Sequence, residues 1–137
     1  MSNIYQGGCR CGAFRYECDG EPLDVKLCHC RDCQYASGSA FAGVAYFPAA
    51  AVKMHGASKL FTVKGSAGLS VERYFCPECG TPLYSRLAEM PEVVFLKIGS
   101  FDNPNAVPPR GHIWCDSMLS WLRIDDQLER LPGNPPL

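Results

Sequence analysis

Apolar and polar positions along the chain alternate with a period of two rather than the three-to-four of an amphipathic helix. Phe14, Tyr16 and Cys18 interleave with Arg15 and Glu17, which predicts a strand with one buried face. Val71, Arg73 and Phe75 interleave with Glu72 and Tyr74 in the same way within a strand over residues 69–75. Shorter strands are expected over residues 23–27, 40–47, 52–55, 59–64 and 112–114. The strongest apolar run, residues 93–98, predicts a central strand buried on both faces. Turn compositions separate these runs: Asp19-Gly20-Glu21-Pro22, Gly56-Ala57-Ser58 and Gly65-Ser66-Ala67-Gly68. One turn of helix is expected after Cys33, ended by Gly38, and another over residues 117–121. The segment from Leu131 to Pro136 reads as an extended, mobile tail. Phe14, Tyr16, Phe41, Phe47, Phe61, Phe75, Phe95 and Trp121 are expected in the core. No segment keeps a long helical period, so the fold class is mostly β, with residues 1–137 as a single domain.

Charge and composition narrow the function by exclusion. Thirteen basic and 14 acidic side chains leave a net charge of −1, and no basic patch points to nucleic acid. No apolar run is long enough to span a bilayer, and the first residues lack the layout of a signal peptide. The expected location is the cytoplasm. In that reducing setting nine cysteines at short spacings favour metal over disulfides.

Seven of those cysteines fall in three clusters: Cys9/Cys11, Cys28/Cys30/Cys33 and Cys76/Cys79. Cys18 and Cys115 stand apart, and Cys18 fits its strand as a small core residue. In an extended backbone Cys28 and Cys30 aim their sulfurs the same way, and Cys33 joins them if the chain turns after Cys30. An odd cluster this tight suits a disulfide poorly and a thiolate-bound zinc well. Cys76-Pro77-Glu78-Cys79-Gly80, following a strand, is half of a zinc ribbon. The simplest division joins Cys9, Cys11, Cys76 and Cys79 as a closed four-thiolate site. It leaves Cys28, Cys30 and Cys33 as a three-ligand site with an open position, the arrangement in which zinc does chemistry. Two of the central three could pair with Cys76/Cys79 instead, but that strands a CxC pair. The second site could also close structurally through a remote ligand such as Cys115 or His112. His29 lies between two cysteines and, in a strand, faces away from them, so it reads as a nearby acid/base at most. His112 reads as a satisfied structural histidine. Arg31, Lys53, Lys59 and Arg73 read as solvated surface charges that could meet a substrate carboxylate.

Gly8-Cys9-Arg10-Cys11-Gly12, Cys28-His29-Cys30-Arg31-Asp32-Cys33 with Gly38-Ser39, and Phe75-Cys76-Pro77-Glu78-Cys79-Gly80-Thr81-Pro82-Leu83 together resemble the GFA family. This family comprises the glutathione-dependent formaldehyde-activating enzymes and the centromere protein V type. His112-Ile113 and Trp121 also look like the family. The resemblance implies a β-tent of antiparallel sheets stapled by two zinc ions. Cys9, Cys11, Cys76 and Cys79 would hold the structural ion, and Cys28, Cys30 and Cys33 the catalytic one. It implies a carbon–sulfur lyase that joins formaldehyde and glutathione, or reverses that reaction, with Cys30 giving way to the substrate thiol. The alternative is a zinc-stapled protein-interaction module without catalysis.

Overall fold

The computed structural model describes residues 4–65 and 67–135. Ser66, in the turn expected over residues 65–68, lies outside the described residues, as do the first three residues and the last two. Strands β1 (Ile4–Gly8), β2 (Arg15–Asp19) and β5 (Val52–His55) form an antiparallel three-stranded sheet in the order β1-β2-β5. A second sheet holds β3 (Asp24–Cys28), β4 (Ala42–Pro48), β6 (Lys59–Lys64), β7 (Ser70–Phe75), β8 (Pro82–Leu87), β9 (Met90–Lys97), β10 (Gly111–Ile113) and β11 (Glu129–Arg130). Its order is β11-β10-β3-β4-β9-β8-β7-β6. The fold is thus mostly β, with antiparallel pairing throughout except at β10, which runs parallel to both β3 and β11. The longest helix, α1 (Arg31–Ser37), has seven residues, and no helix among the described residues is long and apolar enough to cross a membrane.

The period of two divides the large sheet into two working faces. Val25, Ala45, Phe47, Val94 and Leu96 are buried on one face and form the main core with Tyr16 of the small sheet and Phe14 just before β2. Tyr5, Tyr16, Phe47 and Phe101 meet there edge-on or tilted, with ring centroids 5.5–6.3 Å apart. Val44, Tyr46, Phe95 and Lys97 point to the opposite face. The expectation for residues 93–98 is corrected here. The strand is central, but only Val94 and Leu96 enter the core, while Phe95 and Lys97 are half-buried on the far side.

Three further expectations are corrected. Phe61 and Trp121 are exposed, at 62% and 69%: Phe61 stands on β6, an edge strand, and Trp121 lies outside every strand and helix. A 3-10 turn forms at Cys115–Ser117 rather than helix over residues 117–121. The tail is held: Leu131 donates to the carbonyl of His112, Cys115 to that of Leu131 and Trp114 to that of Gly133.

Strand β1 escaped the sequence reading because it ends Gly7-Gly8, residues that ordinarily weaken a strand. Packing explains Gly7. A Cβ there would lie 2.3 Å from the Tyr16 hydroxyl and 2.4 Å from the Ser100 carbonyl oxygen. Tyr16 is buried and its hydroxyl bonds Ser100 Oγ at 2.7 Å, so it has little room to yield. Gly7→Ala should therefore cost about 3 kcal/mol and lower Tm by roughly 10 °C in a thermal melt. A loss under about 1 kcal/mol would show that the two sheets separate readily at this point.

Candidate functional site

Two hairpin tips from different sheets build the first sulfur cluster. Cys9 and Cys11 occupy the β1–β2 loop, where Gly12 N–H returns to the Cys9 carbonyl at 3.1 Å. Cys76 and Cys79 occupy the β7–β8 turn, which Gly80 closes with φ +77° and a 2.8 Å bond to the Cys76 carbonyl. The four sulfurs lie within 4.8 Å of one another. Backbone amides aim at them: Phe14 N–H at Cys9 Sγ (3.2 Å) and Glu78 N–H at Cys76 Sγ (3.4 Å). The Thr81 hydroxyl sits 3.1 Å from Cys79 Sγ and accepts from Arg10 N–H, so it bridges the two tips. Hydrogen bonds from Thr81 first, and then from Cys11, pull the Cys79 thiol down to about 5.

The second cluster forms where β3 runs into α1. Cys28 ends the strand, Cys30 is the helix N-cap, and Cys33 stands in the first turn. Cys33 N–H donates to Cys30 Sγ at 3.3 Å, the capping role an Asp or Ser oxygen usually fills. Helix α1 thus begins at Arg31, earlier than the sequence suggested, and its first turn brings Cys33 round to the other two. Gln34 pins the bend by donating to the carbonyls of His29 and Ser117. The three sulfurs also lie within 4.8 Å of one another, all buried or nearly so. Cys33 is drawn down to about 3 by the S–H groups of Cys28 and Cys30, while Cys28 is driven up, since three packed thiols ionise one at a time.

Both clusters can hold a metal ion. A tetrahedral zinc at about 2.3 Å from each sulfur sets neighbouring sulfurs about 3.8 Å apart. The observed separations are 3.5 Å for Cys9–Cys11, 3.8 Å for Cys11–Cys76 and 3.5 Å for Cys28–Cys30. These fit thiolates around one ion and are far from a bonded S–S pair at about 2.05 Å. All nine cysteines are free. The sets differ in number: four sulfurs in the first and three in the second, which no further Cys, His, Asp or Glu joins among the described residues.

The remote residues considered as a fourth ligand are engaged elsewhere or stand apart. His112 Nε2 bonds Asp126 at 2.7 Å and His112 Nδ1 bonds His29 Nε2 at 2.9 Å, so His112 is satisfied within the packing. Cys115 lies outside the group. His29 lies one residue beyond β3 rather than in a strand, and it is fully buried. Burial, with His112 adding, pushes its imidazole down to about 4, so it is neutral at pH 7. His29 Nδ1 has no hydrogen-bond partner among the described residues.

The three-sulfur cluster opens into a cleft of about 130 Å³ on the far face of the large sheet. Val44, Tyr46, Phe95 and Leu87 supply apolar walls, and Gly65, Ala67 and Leu69 of the β6–β7 hairpin overhang them. Trp114 and Asn134 border it, joined by a 2.6 Å bond from Trp114 Nε1 to Asn134 Oδ1. Arg73 and Lys97 also line it, whereas His29 does not. Arg73 is half-buried and lines this cleft, while Arg31, Lys53 and Lys59 are exposed as expected. Lys97 escaped the sequence reading. The available signal was a lysine in register with cleft-facing Phe95 in an otherwise apolar strand.

The family model described as glutathione-dependent formaldehyde-activating enzyme, GFA, matches residues 4–117. A crystal structure of a Rhodobacter sphaeroides protein superposes with a TM-score of 0.55 at 23% identity, covering 74% of this chain and 93% of that one. At that identity the likeness speaks for the fold alone. No curated protein matches the chain. The family match spans both cysteine clusters and most of the chain: the protein belongs to the GFA family.

Proposed function

We propose that residues 1–137 act as one domain, a zinc-dependent carbon–sulfur lyase that forms or cleaves an S-hydroxymethyl-type adduct of a thiol such as glutathione. The observation that carries this reading is the difference between the sulfur sets. One has four members; the other has three at the end of a cleft, with room for a ligand from outside. Cys9, Cys11, Cys76 and Cys79 are assigned to a structural zinc, and Cys28, Cys30 and Cys33 to a catalytic one. Zinc in the second set would supply a centre that keeps an incoming thiol ionised at neutral pH.

The chain's own residues do the rest. Cys28 and Cys33 hold position from a strand end and a helix turn, while Cys30 is the residue we assign to give way. Its sulfur keeps a hydrogen-bond donor, Cys33 N–H, whether or not it binds metal. Val44, Phe95 and Leu87 keep water from the reacting sulfur. In the synthetic direction the sulfur bonds to the aldehyde carbon, the C=O π pair moves to oxygen, and oxygen takes up the proton the thiol lost. No oxidant or reductant enters. Nine free thiols suit a reducing cytoplasm.

Calorimetry of zinc-loaded protein with glutathione, in two buffers of different ionisation enthalpy, tests this. Thiol binding should release close to one proton, and S-methylglutathione should bind at least about tenfold more weakly, since a thioether cannot ionise. Buffer-independent heats with undiminished binding of the S-methyl analogue would leave the lyase without its first step. That outcome would favour the zinc-stapled interaction module.

A further inference from the structure

The cleft contains two cations that the sulfur chemistry does not use. Lys97 follows Phe95 on the cleft face of β9, and Phe95 pairs with Ser85, which pairs with Arg73. Strand spacing sets the Lys97 and Arg73 Cα atoms about 12 Å apart, close enough for both side chains to reach one point between them. Both line the same cleft as Cys28, Cys30 and Cys33. Neither makes an ion pair with a carboxylate among the described residues: the four bridges found there are Arg15–Asp102, Lys26–Asp24, Lys26–Glu129 and His112–Asp126. Asp32 also borders the cleft and has a partner of its own. Two like charges lining one apolar recess repel each other; the cysteine sulfurs in the same cleft offset part of that cost, and a carboxylate placed between the two cations offsets more.

We propose that Lys97 and Arg73 form a subsite for a carboxylate of the thiol substrate, so that the preferred substrates are thiols bearing a carboxylate a few bonds from sulfur. This rests on the thiol-binding reading above and adds its specificity. A cleft of about 130 Å³ is small beside the roughly 300 Å³ or more of sites that enclose drug-sized ligands. It suits a short mercapto acid, or the thiol end of a longer one. An ammonium and a guanidinium together can satisfy both carboxylate oxygens, the guanidinium through its planar fork.

The test compares 3-mercaptopropionate, its neutral amide 3-mercaptopropionamide, and propionate, which lacks sulfur, by calorimetry on zinc-loaded protein. The acid should bind about tenfold or more tighter than the amide. That ratio should fall towards one in Lys97→Met and fall clearly in Arg73→Gln, with zinc content unchanged. Should Lys97→Met not fold, Arg73→Gln decides by the same ratio. Equal binding of acid and amide to the parent protein overturns the subsite and leaves thiol binding standing. Equal weakening of both by Lys97→Met also overturns it, since Lys97 would then only offset the charge of the thiolates. Propionate binding as tightly as 3-mercaptopropionate, with the amide weaker than both, would sink the lyase reading while the anion subsite stood.

Discussion

Cys76→Ser should melt about 15 °C below the parent protein, or fail to accumulate in folded form. The residue sits where hairpin tips from two separate sheets meet through their sulfurs. Cys9 and Cys11 come from the β1–β2 hairpin and Cys76 and Cys79 from the β7–β8 hairpin, more than 60 residues apart in sequence. A structural zinc contributes roughly 10–16 kcal/mol in small domains, and binding is coupled to folding. Losing one of four ligands should remove at least about 4 kcal/mol, which is of order 15 °C for a chain of this size. Cys76 is also buried, and its amide and carbonyl close the turn through Thr81 and Gly80. A serine oxygen there cannot replace the sulfur's reach or softness. Thermal melts of the variant with and without a strong chelator give the measurement. A chelator that lowers the parent's Tm to the variant's value would trace the loss to metal. A variant melting within about 3 °C of the parent would show that the hairpin tips are held by packing alone.

The second large effect is on chemistry with little change in fold. Cys33→Ser should reduce thiol-dependent turnover by well over the roughly 100-fold that changes in outer-shell partners cost metal sites. Stability should fall by only about 1–2 kcal/mol. Cys33 lies in the first turn of α1, which Gln34 and the Gly38 C-cap hold independently of the sulfur. The three-sulfur set joins a strand end to the helix directly after it, so its loss frees no distant part of the chain. Cys28→Ser and Cys30→Ser should behave alike. A circular-dichroism melt beside a formaldehyde–glutathione assay separates the two quantities. Equal stability losses in Cys33→Ser and Cys76→Ser would remove the distinction between a structural and a catalytic site. Full activity in Cys33→Ser would move the chemistry elsewhere in the molecule.

The strands and cysteine clusters were legible in the sequence because both are written in short-range spacing. Alternation at Phe14, Tyr16 and Cys18 survives as β2, with Tyr16 and Cys18 buried and Glu17 exposed. The CxC and CxxC pairs survive because two or three residues of backbone confine their sulfurs to one neighbourhood. Even the joining of Cys9/Cys11 to Cys76/Cys79 could be reached by counting, since a soft metal leaves few ways to divide seven thiols. Strand β1 was not legible: Gly7 is required by Tyr16 and Ser100, and Gly8 by the Phe14 carbonyl, which only the folded chain brings near. The mobile tail was misread for a similar reason. The groups that hold it, the His112 carbonyl and the Trp114 and Cys115 amides, belong to residues well back along the chain.

Which way a strand's alternate face looks was decided by tertiary structure alone. Sequence can say that Val94 and Leu96 differ in direction from Phe95 and Lys97. It cannot say that a second layer covers only the first pair. In an isolated strand the two faces are equivalent, and the small sheet breaks that equivalence by packing on one side. The uncovered side then turns Lys97 and Arg73, a strand residue and an apparent surface charge, into neighbours of the three cysteines. Pairwise spacing along the chain fixed the sulfur chemistry. The surroundings of those sulfurs required the sheet order, because hydrogen bonding between β3, β4, β9, β8 and β7 sets one residue beside another over distances no local pattern records.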